Sequence, residues 1–238
     1  MGAISAALQV CRDRIAAACA ASGRGADCAH LLAVSKTFPA DAIREAHAAG
    51  QFSFGESYVQ EALPKLAALA DLDLEWHFIG PLQSNKTRPV AENFQWVHGI
   101  EREKVARRLS EQRPGHLPPM NVCIQVNVSG EASKSGVEPE ESLALAQVVS
   151  GLPNLRLRGF MAIPESTQDV SLQRKRFRIL AELLKQAQQM MDLPLDTLSI
   201  GMSADLEAAI LEGATIVRVG TAIFGVRDYS TTHQEEAS

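Results

Sequence analysis

The chain has 238 residues, 46% of them hydrophobic, enough for a sizeable core in one or two domains. A formal net charge of −5 and an isoelectric point near 5.7 argue against nucleic acid as the main partner. No apolar run approaches membrane-spanning length, no signal-peptide core opens the chain, and Cys11, Cys19, Cys28 and Cys123 lack CxxC or zinc-ligand spacing, so they read as reduced thiols of a cytoplasmic protein.

In chain order, Ile4, Leu8, Cys11, Ile15 and Ala18 recur at helical spacing and predict a helix over 3–21, stopped by Gly23 and Gly25. Leu31 to Ser35 form a short apolar run that enters Lys36, Thr37, Phe38 and Pro39, a buried strand bounded by a proline turn. Pro39 and Asp41 then open a helix through 49, ended by Gly50. Further helices are predicted over 56–70, 84–93 (capped by Ser84), 101–112, 139–150 (closed by Gly151), 170–191 and 204–211, with a short last one at 221–224. Strands are predicted over 52–54, 76–79, 95–98, 120–128, 155–161, 198–200 and 215–219. Between them, 113–119 is a proline-rich connector, and the polar, glycine-containing loop 129–138 reads as a mobile lid. The basic clusters Arg107-Arg108 and Arg174-Lys175-Arg176 read as solvated helix faces.

Alternating strand and helix units with short connections imply a parallel sheet with helices outside. Eight such units in about 200 residues predict a single (β/α)8 TIM-type barrel over 1–238, with the first helix as an extra element. The alternative is an open doubly wound sheet, whose dinucleotide-binding version is weakened because no GxGxxG follows the first strand.

In such a barrel the working face lies at the carboxyl ends of the strands. Lys36, Ser57, Ile79, His98, Asn127, Met161, Ser199, Gly201 and Arg218 fall there. A desolvated lysine is a nucleophile able to form a Schiff base, although Lys36 at a strand exit can also simply snorkel to the surface. The loops Ser199–Ser203 and Arg218–Thr221 leave the last two strands and enter helices, where barrels commonly bind phosphate on free backbone N–H groups. Ser203 and Thr221 add hydroxyls, or else merely cap their helices. A Schiff-base lysine with a phosphate cup fits a sugar-phosphate aldolase or pyridoxal 5′-phosphate (PLP). Arg218 favours the second, as the donor that would face an unprotonated pyridine nitrogen, unless it pairs with Asp205.

At these residues the chain resembles the YggS/PROSC family of PLP homeostasis proteins. The similar stretches are Ala33–Thr37, Phe54–Glu61, His77–Lys86, Gln125–Asn127, Gly159–Pro164, Gly201–Asp205 and Arg218–Gly225. The resemblance implies a barrel like the N-terminal domain of alanine racemase and PLP held as a Schiff base on Lys36. It implies Arg218 at the ring nitrogen and Ser203, Gly220 and Thr221 around the phosphate, with Ser199 and Met202 nearby. It also implies control of free PLP without an established catalysed reaction, and the reading adopted is a carrier without robust turnover that passes PLP to apo PLP-dependent enzymes; charge and hydropathy point to neither nucleic acid nor membrane as partner. A monomer is expected, since no long apolar stripe is evident. A weak PLP-dependent amino-acid racemase is the alternative. Racemisation needs acid–base groups on both faces of a carbanion; Tyr58 and His77 are the candidates beside Lys36, though both residue types more often serve packing. Two residues depart from the family pattern: Ser57 stands where asparagine is usual, which puts its contact to the ring in question, and Ile200 where methionine is usual.

Overall fold

A computed structural model describes residues 2–130 and 135–226. Eight parallel strands close into a barrel in chain order: β1 (His30–Val34), β2 (Ser53–Glu56), β3 (Glu75–Phe78), β4 (Trp96–Ile100), β5 (Met120–Gln125), β6 (Leu155–Met161), β7 (Thr197–Ser199) and β8 (Ile216–Val219). Around them run α1 (Ala3–Ala21), α2 (Ala40–Ala48), α3 (Val59–Ala68), α4 (Thr87–Asn93), α5 (Glu103–Gln112), α6 (Pro139–Ser150), α7 (Val170–Met191), α8 (Leu206–Leu211) and α9 (Thr221–Phe224). The expected barrel with its extra leading helix is therefore observed.

Strand periodicity splits the apolar residues between two cores. Ala33, Phe54, Phe78, Val97, Val122, Ile124, Phe160, Leu198, Val217 and Val219 face outward and join the helices in one large buried cluster. Leu32, Val34, Ile79, Trp96, Cys123, Met161 and Ile216 form a second, small cluster inside the barrel. The rest of the buried polar side chains include His77, His98, Gln125, Ser199 and Arg218, which occupy inward positions on the same strands. The interior is thus part oil and part hydrogen-bond network.

Element ends differ from the sequence reading where tertiary contacts, not hydrophobicity, set them. β1 stops at Val34, because the Ser35 side chain turns to the Glu56 carboxylate at 2.8 Å and Phe38 N–H closes a turn on Ser35 O at 3.1 Å. The helix expected from 56 starts at Val59, because Glu56 still belongs to β2 and Tyr58 is extended. The segment 84–93 is a 3-10 turn (Ser84–Lys86) followed by α4, and Ser84 is not its cap; Gln83 precedes it and Ser84 O accepts from Thr87 Oγ1 at 3.0 Å. Nor does Ser203 cap the next-to-last helix, which begins at Leu206. Arg174 and Arg178 are not a free basic face: both bond Glu212, which is nearly buried, and Arg176 bonds Glu165, so these pairs fasten α7 to α8 and to the preceding loop. The core of the expected lid, 131–134, lies outside the described residues. The flanks of that loop are pinned: Val137 bridges Val126, and Gly136 N–H donates to Glu101 at 3.0 Å.

One buried ion pair holds the β1 exit. Lys65 Nζ, on α3, donates to Glu56 Oε1 at 2.9 Å and to Ser35 O at 3.0 Å, while Glu56 is fully buried. Removing one member of such a pair leaves an uncompensated buried charge. Lys65→Met should therefore lower unfolding free energy by about 3–5 kcal/mol in urea titration, and Glu56→Gln/Lys65→Met should recover much of it.

Candidate functional site

The strand register places the expected residues around one mouth of the barrel. Val34 pairs with Gly55 on one side, and Ala33 with Val219 on the other. The residues just beyond these partners are Lys36 after β1, Ser57 after β2, and Gly220 and Thr221 after β8. Lys36 is half-buried in the turn, on the same parity as the inward-facing Leu32 and Val34. Its neighbours are anchored: Ser35 by Glu56, and Thr37, at φ 70°, by a backbone N–H bond to Glu61 Oε2 at 3.0 Å. Gly220 lies against β1, where an added Cβ would meet Val34 O at 3.2 Å. Phe38 and Phe224 pack their rings 5.1 Å apart, so the turn carrying Lys36 is in contact with the α9 end of the β8 loop. Ser57 is buried, and the chain at Gly80 passes so close that a Cβ there would sit 2.2 Å from Ser57 O.

On the opposite wall, β7 and β8 bring Ser199 and Arg218 together. Arg218 Nη1 donates to Ser199 Oγ at 2.8 Å and to Ser199 O, and Nη2 donates to Ala162 O at 2.8 Å. Only 3% of Arg218 is exposed. Burial pulls its pKa down to about 10, against the opposing fields of Asp205 and Cys123, so it remains a cation at neutral pH. Among the described residues, its Nε–H and second Nη2 hydrogen have no acceptor. The salt bridge to Asp205 considered from sequence does not form. Asp205 instead accepts the Met202 N–H at 2.6 Å and shapes the 201–205 loop. Gly201, at φ 92°, crosses so near α8 that a Cβ would lie 2.6 Å from that of Ala209, a place only glycine fits. Ser203 is partly exposed in this loop, and its carbonyl is held by Arg14 Nη2 at 3.0 Å.

Behind Arg218 runs a series of polar side chains that crosses the barrel. Ser199 Oγ lies 2.7 Å from His98 Nδ1, His98 Nε2 lies 2.9 Å from His77 Nδ1, and His77 Nε2 lies 2.9 Å from Glu75 Oε2. Glu75 also accepts from Trp96 Nε1 at 3.0 Å and Ser53 Oγ at 3.2 Å. The Trp96 ring is stacked on His77 and covered by the Arg158 guanidinium. Burial holds both histidines below the ordinary imidazole range, while hydrogen bonds, first that from His77, pull Glu75 down to about 2. His98 was expected at the site from sequence; Glu56, Lys65 and Glu75 were not. The signal for Glu75 was parity: Glu75 and His77, two apart on one strand, both face inward beside His98 on the next.

A cavity of about 620 Å³ opens at the opposite end of the barrel, between α1 and the starts of β1 to β4, where Glu75, Trp96 and Phe52 line it. It does not include Lys36 or Arg218, so it is not the predicted site. No cluster of three potential metal ligands occurs among the described residues, and no helix there is long and apolar enough to cross a membrane.

The site is thus framed by a parallel eight-stranded barrel with a lysine after β1 and a buried arginine on β8. Residues 10–228 match the family described as alanine racemase, N-terminal domain. The alanine racemase of Corynebacterium glutamicum shares the fold, with TM-score 0.70 at 17% identity over 94% of this chain and 61% of the racemase. Nearer relatives are the pyridoxal phosphate homeostasis proteins of Pseudomonas aeruginosa (65% identical; 91% of this chain, 92% of the relative) and Escherichia coli K12 (53%; 92% and 94%). PipY of Synechococcus elongatus, solved with PLP bound, is 36% identical with TM-score 0.81 over 93% of this chain and all of its own. The chain belongs to the family of pyridoxal phosphate homeostasis proteins.

The buried groups set an acid limit on stability. His77 and His98 are held neutral in the fold, so the unfolded chain gains protons first as pH falls below about 6.5. Glu75 adds a second loss between about 4.5 and about 2, because its stabilising ionised form is then protonated. Glu56, raised by burial, acts in the opposite sense and cancels between wild type and variant. Thermal unfolding from pH 8 to 3 should show stability declining below about 6.5. In Glu75→Gln the lower-pH part of that decline should flatten.

Proposed function

We propose that this protein binds PLP reversibly, with Lys36 as its covalent anchor, and serves the supply of PLP rather than a fast reaction. The observation that carries this reading is Arg218: a buried cation, fixed on three hydrogen bonds, with two N–H groups left toward a ligand at the mouth that also holds Lys36. The donor set fits PLP. Arginine can only donate, so it suits an unprotonated pyridine nitrogen and disfavours the ring's use as a strong electron sink. When bound, PLP supplies an aldehyde that condenses with an amine and loses water. The Lys36 nitrogen would provide that amine. Gly220, Thr221, Ser203 and Met202 line the two loops that would hold the phosphate, with Ser199 behind them and Ser57 beside the ring. PLP bound to PipY, and the names of the curated relatives, support PLP as the ligand.

The carrier reading is preferred to a racemase. His77 has both ring nitrogens engaged inside the protein, and Tyr58 is half-exposed at the start of α3. Neither is poised as an opposing base. Apo PLP-dependent enzymes are the recipients this reading implies, in the cytoplasm, with the protein acting as a monomer.

Purified protein supplied with PLP should gain a visible absorption band that borohydride bleaches, and the reduced adduct should map to the peptide containing Lys36. Lys36→Ala should lose the band; a band or adduct persisting in that variant would refute the assignment. Arg218→Lys should weaken PLP binding roughly tenfold or more, since a point charge replaces a fixed fork. Rapid deuterium exchange at the α-carbon of amino acids, with turnover, would favour the racemase instead.

A further inference from the structure

Arg218 is the last member of a line that begins at the other end of the barrel, and the carboxylate at that far end fixes its direction. Arginine has donors only, so Ser199 Oγ must accept from it. An ionised carboxylate has acceptors only, so His77 Nε2 must carry the hydrogen that meets Glu75. Burial holds His77 neutral, so with Nε2 protonated its Nδ1 is the acceptor, which obliges His98 to donate through Nε2–H. His98 Nδ1 is left as an acceptor, and the Ser199 hydroxyl is the donor that reaches it at 2.7 Å. Every link is satisfied in this direction. Reversing it would turn the His77 Nε2 lone pair onto the Glu75 carboxylate, two acceptors face to face, and would take from the Ser199 hydroxyl its acceptor on His98.

We propose that Glu75 is a positioning residue for Arg218, acting through His77, His98 and Ser199 to hold the guanidinium with its free N–H groups toward the ligand. This rests on the reading of Arg218 as the group facing the PLP ring. Ser199 supplies two of the three acceptors of Arg218, its carbonyl and its Oγ. With its own hydrogen committed to His98, the hydroxyl offers Arg218 only lone pairs. Glu75 suits the far end because it lines the open cavity and is nearly half-exposed, so water helps keep it ionised, while His77, at the inner wall of that cavity, and His98 behind it are buried. The stack of Trp96 on His77, with interplanar angle 8°, fixes the ring that carries the signal. No proton need travel along the line; its effect is to select tautomers and thereby a rotamer of Ser199.

The line can be read without any cofactor. Nitrogen-15 NMR of the histidine rings in ligand-free protein at pH 7.5 should show His77 and His98 both neutral and both protonated at Nε2. A protonated imidazolium or an Nδ1–H form at either position would overturn the polarity. His77→Phe keeps a ring on Trp96 but cuts the line. It should shift His98 toward a mixture of tautomers, move the visible band of the PLP-loaded protein, and speed PLP release roughly tenfold, with Glu75→Gln intermediate and Ser53→Ala near wild type. Should both line variants release PLP at the wild-type rate while Arg218→Lys weakens binding, the positioning role fails and the assignment of Arg218 stands. Should Arg218→Lys itself leave PLP binding and spectrum unchanged, the reading of the site fails, whatever the tautomers.

Discussion

A guanidinium buried to 3% exposure inside a barrel is the constraint around which this interior is built. Such a charge is tolerated only where hydrogen bonds replace its water. Here the replacements come from the ends of β6 and β7, so the position of Arg218 depends on those strands being in register with β8. The register is kept by the outward core, whose large residues, among them Phe54, Phe78, Phe160 and Phe177, are wholly buried against the helices. The inner core is small, seven residues, and leaves room for the polar line. Stability is therefore concentrated outside the sheet, and the inside is free to serve the site.

The same division explains why the two ends of the barrel differ. At the carboxyl mouth several loops are held in place: Phe38 packs on Phe224, Gly80 passes close to Ser57, and Met202 is bonded to Asp205 within its own loop. At the amino mouth α1 spans part of the opening and leaves a cavity. Arg14 of α1 reaches back to grip Glu207 with two hydrogen bonds and the Ser203 carbonyl with a third. The helix that stands outside the strand–helix repeat thus helps hold one of the loops proposed for phosphate.

Much of this was legible in the chain. The eight strands, the helices between them and the closed barrel lie where the sequence placed them. The glycine-bearing loops after β7 and β8 lie where the sequence put them. Most of what escaped was set by contacts distant in sequence. Helix starts at 56 and 204 moved where Glu56 meets Ser35 and Ser203 meets Arg14, while Ser84 takes a local bond from Thr87 and opens a 3-10 turn. Arg174 and Arg176 looked like solvated charge because Glu212 and Glu165 are not their helical neighbours. Asp205 looked like the mate of Arg218 by proximity in the motif, yet it serves its own loop. The Glu75 line was half visible, since two histidines and a carboxylate at inward positions of adjacent strands are rare company.

Lys36 and Arg218 come from opposite ends of the sequence and can serve one ligand only because β1 and β8 close the ring. The most direct test is a crystal structure of the protein soaked with PLP. The account predicts continuous density from Lys36 Nζ to the cofactor, the pyridine nitrogen within hydrogen-bond distance of Arg218, and the phosphate in the loops at Ser203 and Gly220–Thr221. Cofactor seated in the cavity beside Glu75, or a Lys36 side chain directed to bulk solvent with PLP bound elsewhere, would contradict it.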